Sequence, residues 1–265
     1  MNKIQETEFN ILKYISEVCE KNNIRYYLIY GTLLGAIRHE GFIPWDDDID
    51  IVMPRKDYNK FKKIMSKDNS EKYLLCENDV VDNYPFIFPK VIYKKSELKE
   101  KSISQVNFKY GVYVDIFILD GVPKNKIERV YKKNKHKILY KLVRYRYLNE
   151  EYLGKLLKTV RKLYIKTIDI KKVQKSLNSI YIANEFDYAD KVKLELMFNE
   201  KEYLPKEYFN EMIKWNFEGQ EFNIPKKYDE CLKSEYGEYK ILPPIEQQKS
   251  NHNFIELTID GEKII

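Results

Sequence analysis

Hydrophobic and polar positions change period several times along this 265-residue chain. From residue 3 to 22 apolar positions recur every three or four places. Ile4, Ile11, Leu12, Ile15, Val18 and Cys19 share one stripe, which predicts an amphipathic helix. Residues 24–30 (IRYYLIY) are a β-branched and aromatic run and predict a strand. Gly31-Thr32 interrupts it, and LLGAIRHE returns to helical spacing. Gly41 and Pro44 mark a turn, after which residues 47–53 (DDIDIVM) predict a second strand. A helix is predicted over 55–66, strands over 86–93 (FIFPKVIY) and 112–118 (VYVDIFI), and a further helix over 206–216. Between 124 and 175 the spacing is helical again. Leu139, Leu142, Val143, Leu153, Leu156, Leu157, Val160, Leu163 and Ile168 supply apolar stripes for two or three helices.

This mixture predicts an α/β (α+β) chain, a mixed sheet flanked by helices, with an additional basic helical segment. The basic segment stands out by charge. From Lys124 to Lys175 there are 18 Lys and Arg against 4 Asp and Glu, a balance of +14 in a chain of net charge +6. The remainder is therefore acidic, at −8. The division expected is a sheet-bearing core over 1–123, a basic helical insertion over 124–205, and a segment over 206–265 that completes the core. The basic face is either simply solvated or meets an anionic partner such as a membrane surface or a lipid-linked diphosphate. No groove-reading or base-stacking motif accompanies the charge, which argues against nucleic acid.

Composition adds less. Hydrophobic residues at 43% and charged residues at 33% suit a globular chain. No apolar run reaches the roughly 18 residues that span a bilayer, and the N-terminal pattern is not that of a signal peptide. Cys19, Cys76 and Cys231 lie far apart, form no CxxC pair, and read as free thiols in a reducing compartment. A cytoplasmic location follows as the expectation, peripheral at the inner face of the membrane where the basic segment makes contact. The 23 tyrosines suit substrate grooves or reflect codon bias.

The segment richest in chemistry is YGTLLGAIRHEGFIPWDDDIDIVMP, residues 30–54. Side chains alternate faces along a strand, so Asp46, Asp48 and Asp50 share a parity while Ile49 and Ile51 turn to the core. Strand geometry is most secure for Asp48 and Asp50. Like charges on one face repel unless a cation neutralises them, and a hard divalent ion is the natural partner. Mg²⁺, or Mn²⁺, fits beside phosphates. Asp115, mid-strand in VYVDIFI, reaches the same ion if the two strands are neighbours; Asp120 reads as a turn residue before Gly121. An EF-hand starting at Asp46 fails, because its sixth position is Ile51 and its twelfth Asp57. The Gly31-Thr32 turn into a helix places backbone N–H groups for a phosphate, and Thr32 adds a hydroxyl donor. Arg38 is a natural bidentate phosphate partner. His39, Trp45 and Lys90 are further candidates for substrate contact.

The strand, Gly-Thr turn, helix, DxD strand and later Asp resemble the nucleotidyltransferase fold. More narrowly, GTLLGAIRHEGFIPWDDDIDI is similar to the motif of the LicD family. IPKKYDECLKSEYGEYKILPP, residues 224–244, resembles that family's C-terminal block. The resemblance implies transfer of phosphocholine from CDP-choline to a sugar hydroxyl of a glycan or teichoic acid precursor, lipid-linked or soluble, with CMP leaving. It implies Asp48, Asp50 and Asp115, with Asp46 as a further candidate, as metal ligands. Gly31, Thr32 and Arg38 would face the diphosphate. The fukutin-related ribitol phosphate transferases share the same core positions, so ribitol, glycerol or ethanolamine remain open as the alcohol. True nucleotidyl transfer with diphosphate release and a non-catalytic scaffold are the competing readings.

Overall fold

The computed structural model describes residues 1–103, 108, 110–148, 167–182, 185–194, 200–250 and 252–265. Helix α1, Lys3–Lys21, opens with a capping box in which Asn2 and Gln5 satisfy each other's backbone N–H groups. Its stripe of Ile11, Leu12, Ile15 and Cys19 is fully buried, and Ile4 and Val18 pack at its margins. Strand β1 is only Tyr27–Leu28, shorter than the apolar run 24–30. The chain leaves extended geometry at Tyr30, which adopts φ +50 and begins helix α2, Tyr30–His39. Gly31 and Thr32 therefore lie in the first turn of that helix, not before it.

Strand β2, Asp50–Pro54, leads without a loop into α3, Arg55–Met65. Strands β3 (Tyr73–Cys76), β4 (Lys90–Tyr93), β5 (Ser96–Glu100) and β6 (Tyr113–Gly121) follow. The main sheet runs β1-β2-β6-β4-β3, with β2 and β6 parallel and the other pairs antiparallel. β6 is its spine. All nine of its residues are buried, as a strand covered on both faces requires. It is longer than the run 112–118: Asp120 belongs to the strand, not to a turn, because β7 (Lys191–Lys193) pairs with it there. β8, Leu204–Pro205, extends that edge.

The basic segment contributes α4, Lys126–Tyr147, and α5, Ile170–Tyr181; the apolar positions from Leu153 to Leu163 lie outside the described residues. The two helices pack on each other around a second apolar cluster of Val143, Tyr147, Val173, Leu177, Ile180 and Tyr181.

The helix expected over 206–216 is not there. A 3₁₀ turn, Lys206–Phe209, leads into β9, Met212–Phe217, which pairs with β10, Gln220–Pro225. Glu218 and Gly219 both have positive φ, the two-residue hairpin geometry, and exposure alternates along β9. Helix α6, Tyr228–Tyr236, then packs on α2. β11, Phe254–Ile259, joins β5 and the short β12, Glu262–Lys263, in a separate three-stranded sheet.

Candidate active site

The register of the main sheet sets one row of side chains. Asp50 of β2 pairs with Asp115 of β6, and Asp115 pairs with Lys90 of β4. Directly opposed residues share a face, so two carboxylates and an ammonium stand side by side. Lys90 Nζ lies 2.5 Å from Asp115 Oδ1, with the lysine 2% and the aspartate 6% exposed. The ammonium also lies 3.5 Å from the centre of the Tyr113 ring. Lys90 is thus committed inside the sheet and is not among the residues lining the cleft beside it.

Asp46 and Asp48 precede the strand, so their approach to Asp50 comes from the loop and not from strand alternation. That loop is pinned at several points. Gln5 of α1 donates to the Asp46 carbonyl at 2.9 Å, Asp46 N–H bonds Ile43 O at 2.9 Å, and Glu218 accepts from Phe42 N–H at 2.9 Å. Thr32 Oγ1 accepts the Asp50 N–H at 2.8 Å, so this buried hydroxyl is a strut between α2 and β2. A Cβ on Gly31 would come within 2.3 Å of Asp46 Oδ2. The missing side chain is what lets the carboxylate lie against the first turn of α2. A Cβ on Gly35 would likewise strike the Gly41 carbonyl at 2.4 Å, which fixes the α2-to-loop crossing.

A cleft of about 410 Å³ opens over this loop. Asp46, Asp48 and Asp50 form its acidic side, Arg38 and Lys249 bring cations, and Tyr30, Trp45, Tyr236 and Tyr239 line it with rings. Arg38 is held by donating to the Tyr239 carbonyl at 2.9 Å. His39 sits edge-on to Trp45, ring centres 6.2 Å apart, and is not a lining residue. Burial first, then the adjacent Arg38, lowers its pKa and favours the neutral imidazole.

The electrostatics are strained. Burial first, then Asp48, pushes Asp46 up to about 7. Burial, then Asp48 and Asp115, raises Asp50 well above the carboxylate range. Burial raises Asp115 to about 6 even though Lys90 pulls the other way. Among the described residues no three His, Cys, Asp or Glu side chains are drawn together in the geometry of a bound ion. Asp115 spends one oxygen on Lys90, and Asp46 and Asp48 sit on a loop. The donor set is nevertheless wholly carboxylate oxygen, which suits Mg²⁺ or Mn²⁺.

Four residues near the site escaped the sequence reading. His252 lies 2.9 Å from Asp47 Oδ1 through Nδ1 and 3.9 Å from Asp48 Oδ2 through Nε2. Burial disfavours its charge, but the Asp47 hydrogen bond and Asp48 outweigh that and raise its pKa. Tyr236 and Tyr239 come from the C-terminal block, where a Tyr-Gly pair reads as a turn. Gly237, at φ +63, does make that turn, and the turn delivers both rings to the cleft. Glu8 of α1 is buried, and burial followed by Asp48 raises its pKa well above the usual range. A helical pattern gave no sign of it, because one acid on an apolar stripe looks like an ordinary edge position.

The family model described as LicD/FKTN/FKRP, nucleotidyltransferase domain, matches residues 23–142, which hold the whole row of Asp50, Asp115 and Lys90. The lipopolysaccharide cholinephosphotransferase LicD of Haemophilus influenzae is 36% identical over 258 residues, 92% of this chain and 92% of that protein. The chain belongs to the LicD family. Narrower matches fall on other proteins. The uncharacterized protein RT0683 of Rickettsia typhi is 39% identical over 72 residues, 27% of this chain and 23% of its own length. The ribitol 5-phosphate transferase FKRP of Mus musculus is 31% identical over 80 residues, 30% of this chain and 15% of that protein. This LicD family chain is a transferase of phospho-alcohols, the activity shared by the relatives named for one.

Proposed function

We propose that the chain transfers phosphocholine from CDP-choline to a sugar hydroxyl of a cell-surface glycan precursor, of lipopolysaccharide or teichoic acid type, releasing CMP. The observation that carries this reading is identity of 36% sustained over 92% of a cholinephosphotransferase, together with a cleft that joins carboxylates, cations and aromatic rings. Asp48 and Asp50, with Asp115 behind them, would hold Mg²⁺ or Mn²⁺, and Asp46 is a further oxygen donor from the same loop. Such an ion would neutralise the donor's diphosphate and the charge that develops on departing CMP.

The chain's own groups do the rest. The first-turn N–H groups of α2 at Gly31 and Thr32 point the positive end of the helix dipole at an anion. Arg38 and Lys249 add positive charge along the cleft. Asp46, which lines the cleft and has a raised affinity for a proton, accepts the proton of the attacking hydroxyl, whereas Asp115 is held by Lys90 behind the cleft lining. Trp45, Tyr236 and Tyr239 offer ring faces to the quaternary ammonium of choline. Ribitol or glycerol, rich in hydroxyls, would find fewer partners on those faces, which favours choline over them.

The protein would act in the cytoplasm. Among the described residues no helix is long and apolar enough to cross a membrane. α4 exposes Ile127, Val130, Tyr131 and Ile138 among its lysines, and such a face suits peripheral contact with an anionic bilayer that presents a lipid-linked acceptor.

The test is to incubate the protein with Mg²⁺, a lipopolysaccharide or teichoic acid preparation as acceptor and, separately, CDP-choline, CDP-ethanolamine, CDP-ribitol, CDP-glycerol, CTP and ATP, and to assay CMP and diphosphate. CMP release fastest from CDP-choline supports the reading. Preference for another CDP-alcohol replaces the alcohol and keeps the chemistry. Diphosphate release from CTP or ATP replaces the reaction itself with nucleotidyl transfer.

A further inference from the structure

The three consecutive aspartates of the acidic loop do not share one task. Asp46 and Asp48 line the cleft, and Asp47 between them does not. Both oxygens of the Asp47 carboxylate are taken by the far end of the chain. Ser250 donates its hydroxyl proton to Oδ2 at 2.5 Å, and the ring Nδ1 of His252 lies 2.9 Å from Oδ1. The same serine Oγ accepts the His252 N–H at 3.0 Å, so one hydroxyl serves two bonds. The His252 ring is wedged in turn. It stacks on Phe254 of β11, ring centres 5.2 Å apart and planes 2° apart, and meets Tyr113 of β6 edge-on at 6.5 Å. Asp47 thereby fastens the segment that enters β11, in the separate three-stranded sheet, to the loop before β2.

Lys249 immediately precedes this fastening, is exposed, and lines the cleft. Upstream of it the 3₁₀ turn Ile245–Gln247 is bonded within its own stretch, Gln248 donating to the Pro243 carbonyl at 2.8 Å. The bonds to Asp47 are what tie this stretch to the acidic loop. A long lysine side chain reaches a ligand dependably only when its backbone is placed, because ordering a free one costs rotamer and chain entropy at the moment of binding. We propose that Asp47 is a positioning residue: it holds Ser250 and His252 against the acidic loop and so sets Lys249 over the cleft as a cation for the donor's diphosphate. A cation that meets the diphosphate alike in the bound and the reacting donor lowers KM and leaves kcat unchanged. Asp47 therefore differs in kind from its two neighbours, which face the reacting groups.

Lys249 has this role only if the cleft takes a CDP-alcohol, as proposed above, and the experiment separates the two claims. CMP release from CDP-choline is measured over a range of donor concentrations for the full chain, Asp47→Ala, Asp47→Asn, Lys249→Ala and the double variant Asp47→Ala/Lys249→Ala. Backbone hydrogen exchange around Ser250 and His252 is followed in each. Asp47→Ala should speed that exchange and raise KM about 10-fold, near the lower worth of a hydrogen bond to a charged group, with kcat within about 3-fold of the wild type. Lys249→Ala should raise KM equally without loosening the segment. The double variant should be no worse than either single one, because residues that act through one contact do not add. Asp47→Asn, which keeps one acceptor oxygen, should fall between the wild type and Asp47→Ala. A ~100-fold loss of kcat at unchanged KM would make Asp47 a catalytic group, additive effects would cut its link to Lys249, and a lower melting temperature with normal kinetics would leave it structural; each overturns the proposal. Unchanged exchange in Asp47→Ala overturns it whatever the donor. No CMP release by the wild type from any CDP-alcohol overturns the donor reading and the role of Lys249 with it, and faster exchange in Asp47→Ala would then support the fastening alone. If Asp47→Ala does not fold, Ser250→Ala, at the exposed end of the same bond, is read by the same criteria.

Discussion

Strand β6 carries two buried aspartates five residues apart, on opposite faces, and their surroundings differ sharply. Asp120, 1% exposed, is met by the fork of Arg55, whose Nε lies 2.8 Å from Oδ1 while Nη2 bonds Oδ2. The anion meets a planar cation, and buried Lys193 stands opposite it in register, so no negative charge is left over. Asp115 also has a cation, Lys90, but Asp50 stands beside it, and Asp48, Asp46 and Glu8 crowd the same region. There the negative charge exceeds what the chain supplies to balance it. The lesson is that a buried aspartate is no sign of chemistry in itself. The excess is the sign, because a protein tolerates unbalanced buried charge chiefly where a ligand completes it.

The largest effect expected from this contrast is structural. Asp120→Ala should cost about 3 kcal/mol or more of stability in denaturant unfolding, since it removes one partner of a largely buried ion pair. The fraction still folded should turn over CDP-choline normally. A large loss of specific activity would place Asp120 in the site and erase the contrast. Next come Asp48→Asn and Asp50→Asn. Each should lower CMP release by at least ~100-fold, the usual result of removing a preorganised electrostatic group, with the far-ultraviolet circular dichroism unchanged. Near-normal rates would remove that residue from the site. His252→Ala should be milder, about 10-fold on activity, as for a group that orients a ligand-bearing loop through Asp47. No change would make the Asp47 contact incidental.

The smallest effect is a pH dependence. In the folded chain Asp46 keeps its proton up to about 7 and Asp115 up to about 6, both because of burial. Unfolded, aspartate ionises near ~3.9. Between those values the folded state binds more protons. The stabilisation is therefore complete below ~pH 4 and is lost as pH rises through the folded values. Metal-free protein should lose melting temperature from pH 5 to pH 7.5, and Mg²⁺ should raise it more at pH 7.5 than at pH 5. A metal effect equal at both pH values would mean that protons and Mg²⁺ do not compete for the same oxygens.

Much of this site could be read from the sequence, and the limits are physical. The Gly-Thr step and the DxDxD run are local, so their chemistry shows in consecutive residues. The adjacency of Asp115 needed a guess about sheet order, which the parallel pairing of β2 and β6 supplies. Strand alternation was the wrong reason for grouping Asp46 and Asp48 with Asp50, because a pinned loop brings them there. The helix expected over 206–216 became a hairpin because the Glu218-Gly219 turn outweighed local spacing. His252, Tyr236 and Glu8 were out of reach for a common reason. Each enters through tertiary packing of an element whose own pattern is ordinary.

In the proposed mechanism the carboxylates of β2, its preceding loop and β6 would hold a divalent cation beside the donor's diphosphate. Crystals grown with Mn²⁺ and CDP-choline, measured for anomalous scattering at the manganese edge, test it most directly. The expected map has a manganese peak about 2.0–2.3 Å from Asp48 and Asp50 oxygens, a separation typical of small divalent ions, with the diphosphate next to it and Arg38 on its flank. A nucleotide bound in the cleft with no peak at the aspartates, or a peak far from them, would contradict the account.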